Sequence, residues 1–348
     1  MNRNLHIAGC LLLSAVMMIL ANTALAEKTI TLMSHDSFNV GKEVIATFEK
    51  ENKVKVRFLK SGDAGAALVQ AILSKNNPLA DVFFGVDNTF FSRAIEADIF
   101  LPYASPLLAN IPLSLQLDKQ NRLLPVDYGD VCLNYDKEWF KKNNLAPPTD
   151  LTDLIKPKYK GLTVVENPAT SSPGMAFLLA TIGRFGEKGY LDFWKKLKEN
   201  KVIVANGWED AYYGHFTSAS KGDRPIVVSY ASSPPAVVYY AEKPLAEAPT
   251  AALVADNTAF RQIEFVGILK GTQEPQLAKK LVDFMLSRSF QEDIPLQMFV
   301  FPANSQAQLP EVFVKHAVVA DKPAMVSPSA IEANRDSWIE AWTNVVLR

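Results

Sequence analysis

The amino-acid sequence predicts a two-lobed α/β protein, each lobe a mainly parallel sheet flanked by helices, with two crossing strands as the hinge. Three observations carry that prediction. Strand-like and helix-like segments alternate, as they do when helices cover the faces of a parallel sheet. The run "ADVFFGVD" at 80–87 is continuously apolar, as a strand buried on both faces must be. The alternation then restarts after "RLLPVDYGDVCLNYDKEWF" at 122–140, as a second lobe requires.

Taken in order, "KTITLMSHDSF" reads as a strand that ends in a polar loop, and "GKEVIATFEKEN" as a helix. "KVKVRFL" alternates as a second strand does, and "AGAALVQAILSK" has the spacing of a helix. In the second half, "GLTVVEN", "KVIVAN" and "RPIVVSYA" read as strands, and "GMAFLLATIGRFG" as a helix between the first two. "FRQIEFVGILKG" is a long β-rich run, followed by helix-like "PQLAKKLVDFMLSRSFQEDI". The last segment, "SAIEANRDSWIEAWTNVVL", places apolar residues at helical spacing. Crossings near 125–131 and 258–268 divide the chain into a discontinuous first lobe, 27–125 plus 266–348, and a second lobe, 126–265.

Residues 1–26 are a different kind of sequence. One Arg and no acid precede the apolar run Ile7 to Ala21, and Ala24-Leu25-Ala26 places small residues before Glu27. That is the pattern of a secretory signal peptide cleaved before Glu27. Ile7-Ala8-Gly9-Cys10 looks like a lipoprotein cleavage box, but its apolar core follows the cysteine instead of preceding it. After cleavage one cysteine remains, Cys132, so no internal disulfide forms. The full chain of 348 residues has a formal net charge of −1, and loss of Arg3 takes it one unit lower. Nothing in that balance suggests a nucleic-acid partner.

Six short stretches stand out: "HDSF" at 35–38, "GVDN" at 85–88, "VDYG" at 126–129, "TSSPG" at 170–174, "NGWEDAY" at 206–212 and "VVSYASSP" at 227–234. With the secreted, two-lobed outline, their order and spacing resemble the periplasmic (type II) solute-binding proteins of ABC importers, and within them the thiamine-binding branch. The resemblance covers essentially the whole mature chain. It implies an extracytoplasmic monomer that closes on thiamine, or its phosphates, and presents it to permease and ATPase subunits. It implies no cofactor and no catalysis.

A thiamine site must sandwich flat rings, balance a fixed thiazolium charge and hydrogen-bond an aminopyrimidine; a phosphorylated ligand adds an anion. For the anion, Ser171 and Ser172 stand before Pro173 at a helix mouth, where N–H groups and the dipole attract phosphate. Ser232 and Ser233 before Pro234 repeat the pattern. The plainer reading of each is a Ser-Pro cap. For the rings, Trp208 lies in a Gly-containing loop and Tyr230 ends a strand, and the resemblance assigns both to the ligand. Either aromatic can instead be core. The alignment also puts Phe299 where the better-known thiamine binders carry Trp, and His35 where they carry Tyr. His35 beside a cationic ligand would favour its neutral form; its plainer reading is a surface loop residue.

For the cation, Asp36, Asp63, Asp87, Asp127, Asp130 and Glu209 are all candidates, with Asp36 and Asp87 at strand ends that can face a cleft. Asp63 reads first as a helix cap, Asp127 as a residue that pins a turn, and Gly65 as a place for close backbone approach. Three rival readings remain open. Ferric-ion binders of the same fold use adjacent tyrosines, and the chain has Tyr212-Tyr213 and Tyr239-Tyr240. Aromatic boxes with carboxylates also serve polyamines and other organic cations. A thiaminase-like enzyme would need Cys132 as its nucleophile, in a strand-like run that does not lower a thiol pKa.

Overall fold

The computed structural model describes residues 28–348, so the signal segment expected at 1–26 lies outside the described residues. Strands β1 (Lys28–Ser34), β2 (Val54–Lys60), β3 (Val82–Asp87), β4 (Phe100–Leu101) and β5 (Leu124–Asp136) belong to the first half. Strands β6 (Thr163–Glu166), β7 (Ile203–Ala205), β8 (Ile226–Tyr230), β9 (Thr250–Leu253), β10 (Phe260–Leu269) and β11 (Phe301–Pro302) follow. The helices are α1 (Lys42–Asn52), α2 (Ala64–Leu73), α3 (Phe91–Glu96), α4 (Lys137–Lys142), α5 (Ser172–Glu199), α6 (Pro234–Tyr239), α7 (Pro275–Leu286), α8 (Arg288–Gln291), α9 (Ile294–Gln297), α10 (Glu311–His316) and α11 (Pro328–Val346).

One sheet runs through the molecule in the order β2-β1-β3-β10-β5-β8-β6-β7. On one side β2, β1 and β3 are parallel; on the other β8, β6 and β7 are parallel. The long strands β5 and β10 pair antiparallel between them and join the two halves, as the hinge reading expects. β10 breaks register on both edges beside Phe265, against β3 and against β5, which marks a bulge where the lobes meet. β3 is buried at every residue, with α2 on one flank, and this accounts for its unbroken apolar sequence.

The apolar core is shared. A single cluster of buried side chains extends from Ile30 of β1 through Val165 and Phe177 to Trp342 and Val346 of α11. The tail contacts both halves: Arg335 of α11 lies over the Phe90 ring, 4.2 Å from its centroid, and other tail residues reach the second half. Val318 N–H donates to the Ala231 carbonyl, Ala320 N–H to Asp130 and Ala324 N–H to the Ala259 carbonyl. α11 then lies along α5, with the buried Trp342 edge-on to Trp194 at 5.5 Å. The cause is its apolar stripe of Ile331, Trp338, Trp342 and Val346, whose complement is on α5.

Candidate functional site

The carboxyl ends of β1, β2, β6, β7 and β8 open into one cleft, the usual position for a ligand in an open α/β sheet. The cleft holds a cavity of about 310 Å³. The structure brings seven of the eleven residues singled out from sequence to its wall: His35, Asp36, Ser172, Trp208, Tyr230, Ser233 and Phe299.

Trp208 is half-buried. Its ring stacks on Tyr212 at 4.9 Å, 21° from parallel, and meets Tyr213 edge-on. A π-helical turn at Asp210–His215 places those two tyrosines beside it. Its indole Nε1–H donates to Ser229 Oγ at 2.9 Å, and that hydroxyl lies 2.8 Å from Ser233 Oγ. Ser233 Oγ also accepts from Tyr230 N–H. The Tyr230 hydroxyl donates to Gln262 Oε1, whose amide donates to Ser172 Oγ. Both rings are therefore held by their polar atoms, which leaves their faces for packing. Phe299 sits nearby at φ 55°, an uncommon conformation for a bulky residue. Strain of this kind persists only where the surroundings enforce it, and it collects at binding sites.

Asp63 does two things. It is the N-cap of α2, accepting from Ala64 N–H at 2.6 Å, as the cap reading expects. Its other oxygen accepts from Trp208 N–H across the cleft at 2.8 Å, and Ser171 also hydrogen-bonds to it. Burial still pushes its carboxyl above the ordinary value, against these bonds. Beside it Ala66 N–H donates to the Thr170 carbonyl, so α2 and the "TSSPG" loop are in contact.

Four expected site residues fall outside the cavity wall. Gly65 faces the other side of that contact: a Cβ there would come 2.8 Å from the Thr170 carbonyl oxygen, so it permits approach of the chain and not of a ligand. Asp87 is fully buried behind the wall, accepting from Thr89 Oγ1 and Phe90 N–H to close the turn after β3. Burial drives its carboxyl up to about 7. Ser171 is buried as the N-cap of α5, with Oγ accepting from Gly174 N–H at 3.4 Å. Ser232 is buried beneath α6, its hydroxyl with no partner among the described residues. His35, read first as a surface residue, is instead 7% exposed.

Of the remaining carboxylate candidates, Asp130 forms a two-bond salt bridge with Arg261 and is thereby taken. Asp127 is buried inside β5 and pins no turn. Burial and then the neighbouring Glu264 push its carboxyl well above the ordinary value. Glu264 itself lines the cavity, as do Tyr212, Tyr213 and Tyr240, and sequence reasoning overlooked Glu264 entirely. Cys132 is fully buried and burial pushes its thiol up, away from the reactive thiolate. Among the described residues no cluster of three or more His, Cys, Asp or Glu side chains can hold a metal, and no helix is long and apolar enough to cross a membrane.

A cleft of this form between two sheet halves has known counterparts. The sequence model of the bacterial extracellular solute-binding proteins matches residues 77–319. The chain belongs to that family. Among other solute-binding proteins it is 31% identical to the thiamine-binding periplasmic protein of Brucella suis, over 94% of this chain and 95% of that one. It is 29% identical to the thiamine-binding periplasmic protein of Salmonella typhimurium, over 96% and 98% of the two chains. A solved structure of a periplasmic thiamin binding protein superposes with a TM-score of 0.80 at 26% identity, covering 92% of this chain and 96% of the other.

Proposed function

We propose that this solute-binding protein is an extracytoplasmic thiamine receptor that closes its lobes about β5 and β10 and delivers the vitamin to an ABC importer. One observation carries the reading: a single cavity gathers the aromatic faces of Trp208, Tyr230 and Phe299 with the carboxylates of Asp63 and Glu264. Flat rings suit stacking, and a fixed thiazolium charge suits aromatic faces and acids together. The thiamine-binding relatives, similar over nearly their whole length, support the same ligand. The receptor acts as a monomer on permease and ATPase subunits and catalyses nothing; the buried, protonated Cys132 supports that.

A ferric site would need tyrosinates, whereas burial pushes the Tyr212 phenol up and spends its face on Trp208. A linear polyamine would gain cation–π attraction from the indole face but has no flat ring to stack on it. The test is a titration followed by tryptophan fluorescence, with thiamine, its mono- and diphosphate, spermidine and ferric citrate. Saturable binding of thiamine, not displaced by spermidine or iron, is expected. Binding of spermidine or iron without thiamine would overturn the reading.

A further inference from the structure

His35 and Glu264 form a pair on the cavity wall that neither ring stacking nor closure requires. His35 Nε2 lies 3.3 Å from Glu264 Oε1, and both side chains are buried. Glu264 stands in register with Asp87 on β3 and with Asp127 on β5, so three carboxyl groups sit abreast where the lobes meet. Of the three, Glu264 alone is on the cavity wall. An ionised carboxylate buried this deeply needs a cation or it is costly.

In the protein alone, His35 supplies that cation. Burial is the largest influence and opposes its protonation; Glu264 acts the other way, and the net effect holds the imidazole above its ordinary pKa. Asp63 at the mouth of α2 adds to the effect and Lys60 at the end of β2 opposes it. Around Glu264, Asp87 and Asp127 are both pushed towards their neutral forms, and burial keeps the Tyr230 phenol protonated. The imidazole has little room to leave. Phe84 packs against it at 5.5 Å, and a Cβ on Gly85 would come within 2.5 Å of its Cδ2.

We propose that Glu264 is the counter-charge for the ligand's cation and that protonated His35 holds its place, so that binding thiamine expels a proton from His35. The inference rests on the reading that the ligand carries a fixed positive charge. Two cations facing one buried carboxylate repel each other, and only the imidazolium can discharge itself. Binding is therefore coupled to proton release and tightens as pH rises through the His35 titration, above which no proton remains to be expelled.

Calorimetric titration of the intact mature protein with thiamine, in buffers of different ionisation enthalpy, counts the protons. Release of up to one proton per thiamine is expected below the His35 titration, with log Kd falling by about one per pH unit there and levelling above it. His35→Gln should abolish the release and flatten the profile. Glu264→Gln should weaken thiamine at pH 8 by about tenfold or more and also abolish the release. The unmodified protein decides the matter even if a variant misfolds. Thiamine binding with no proton release and a flat profile would overturn the inference alone. No thiamine binding at any pH would overturn the thiamine reading, and the inference with it.

Discussion

The chain contains the words Ser-Ser-Pro twice, and the two copies do different things. At Ser171-Ser172-Pro173 the first serine is extended, at φ −115° and ψ 130°, and caps the long helix α5. At Ser232-Ser233-Pro234 the residue before the proline is already helical, at φ −76° and ψ −31°, and caps nothing. Ser233 instead joins Ser229 and Tyr230 in the hydroxyl network that holds Trp208. The first copy is a true helix mouth, and a carboxylate from the opposite lobe already occupies it: Asp63. The second is a clamp for rings. A ligand phosphate placed at the first copy would have to compete with Asp63, and at the second it would find no capped mouth.

Asp63 tests this contrast most severely. Asp63→Ala removes the acceptor of the Trp208 N–H and leaves Ser171 without its partner across the cleft. With charged hydrogen bonds worth about 1.5–3 kcal/mol, thiamine affinity should fall on the order of tenfold to a hundredfold. Thiamine monophosphate should lose less, because its phosphate no longer faces an acid at the mouth. Competition calorimetry with both ligands measures the two losses, and equal losses would dissolve the distinction.

Trp208→Ala comes next. If the ring held by Tyr212 and Ser229 stacks on the ligand, that contact contributes about 0.5–2 kcal/mol. Binding should weaken by about tenfold while the circular dichroism spectrum stays native. Unchanged affinity would assign the indole to packing. The smallest effects come from the serines themselves. Ser233→Ala should weaken thiamine and its monophosphate alike, by about 1 kcal/mol, through looser rings. Replacing Ser171 and Ser172 together by Ala should cost the monophosphate more than thiamine. If fluorescence titration shows both variants acting alike on both ligands, the two copies are equivalent.

Much of the frame was legible because periodicity is local. The alternation of "KTITLMS", "KVKVRFL" and "DVFFGV" with helical spacing gives β1, β2 and β3 directly. Tyr230 was legible because it ends a strand, and Trp208 because it lies in the loop after one, in a fold whose clefts lie there. Glu264 was not, since a lone acid in "FRQIEFVGILKG" looks like the solvent side of a strand. Its significance comes from register with residues 87 and 127, which no local pattern encodes. Asp63 was read correctly as a cap but its second bond, to a residue 145 positions away, is invisible to spacing. The backbone twist at Phe299 is imposed by tertiary packing, and the course of the tail was set by the α5 surface it found.

The continuous sheet has a consequence for how the molecule fails when heated. β5 and β10 are hydrogen-bonded members of both halves, and one apolar cluster runs from Ile30 to Val346. Neither half can melt without exposing the edge and the core of the other, so the cost of losing one includes part of the cost of losing both. A receptor that closes its lobes as proposed would therefore still melt as one cooperative unit.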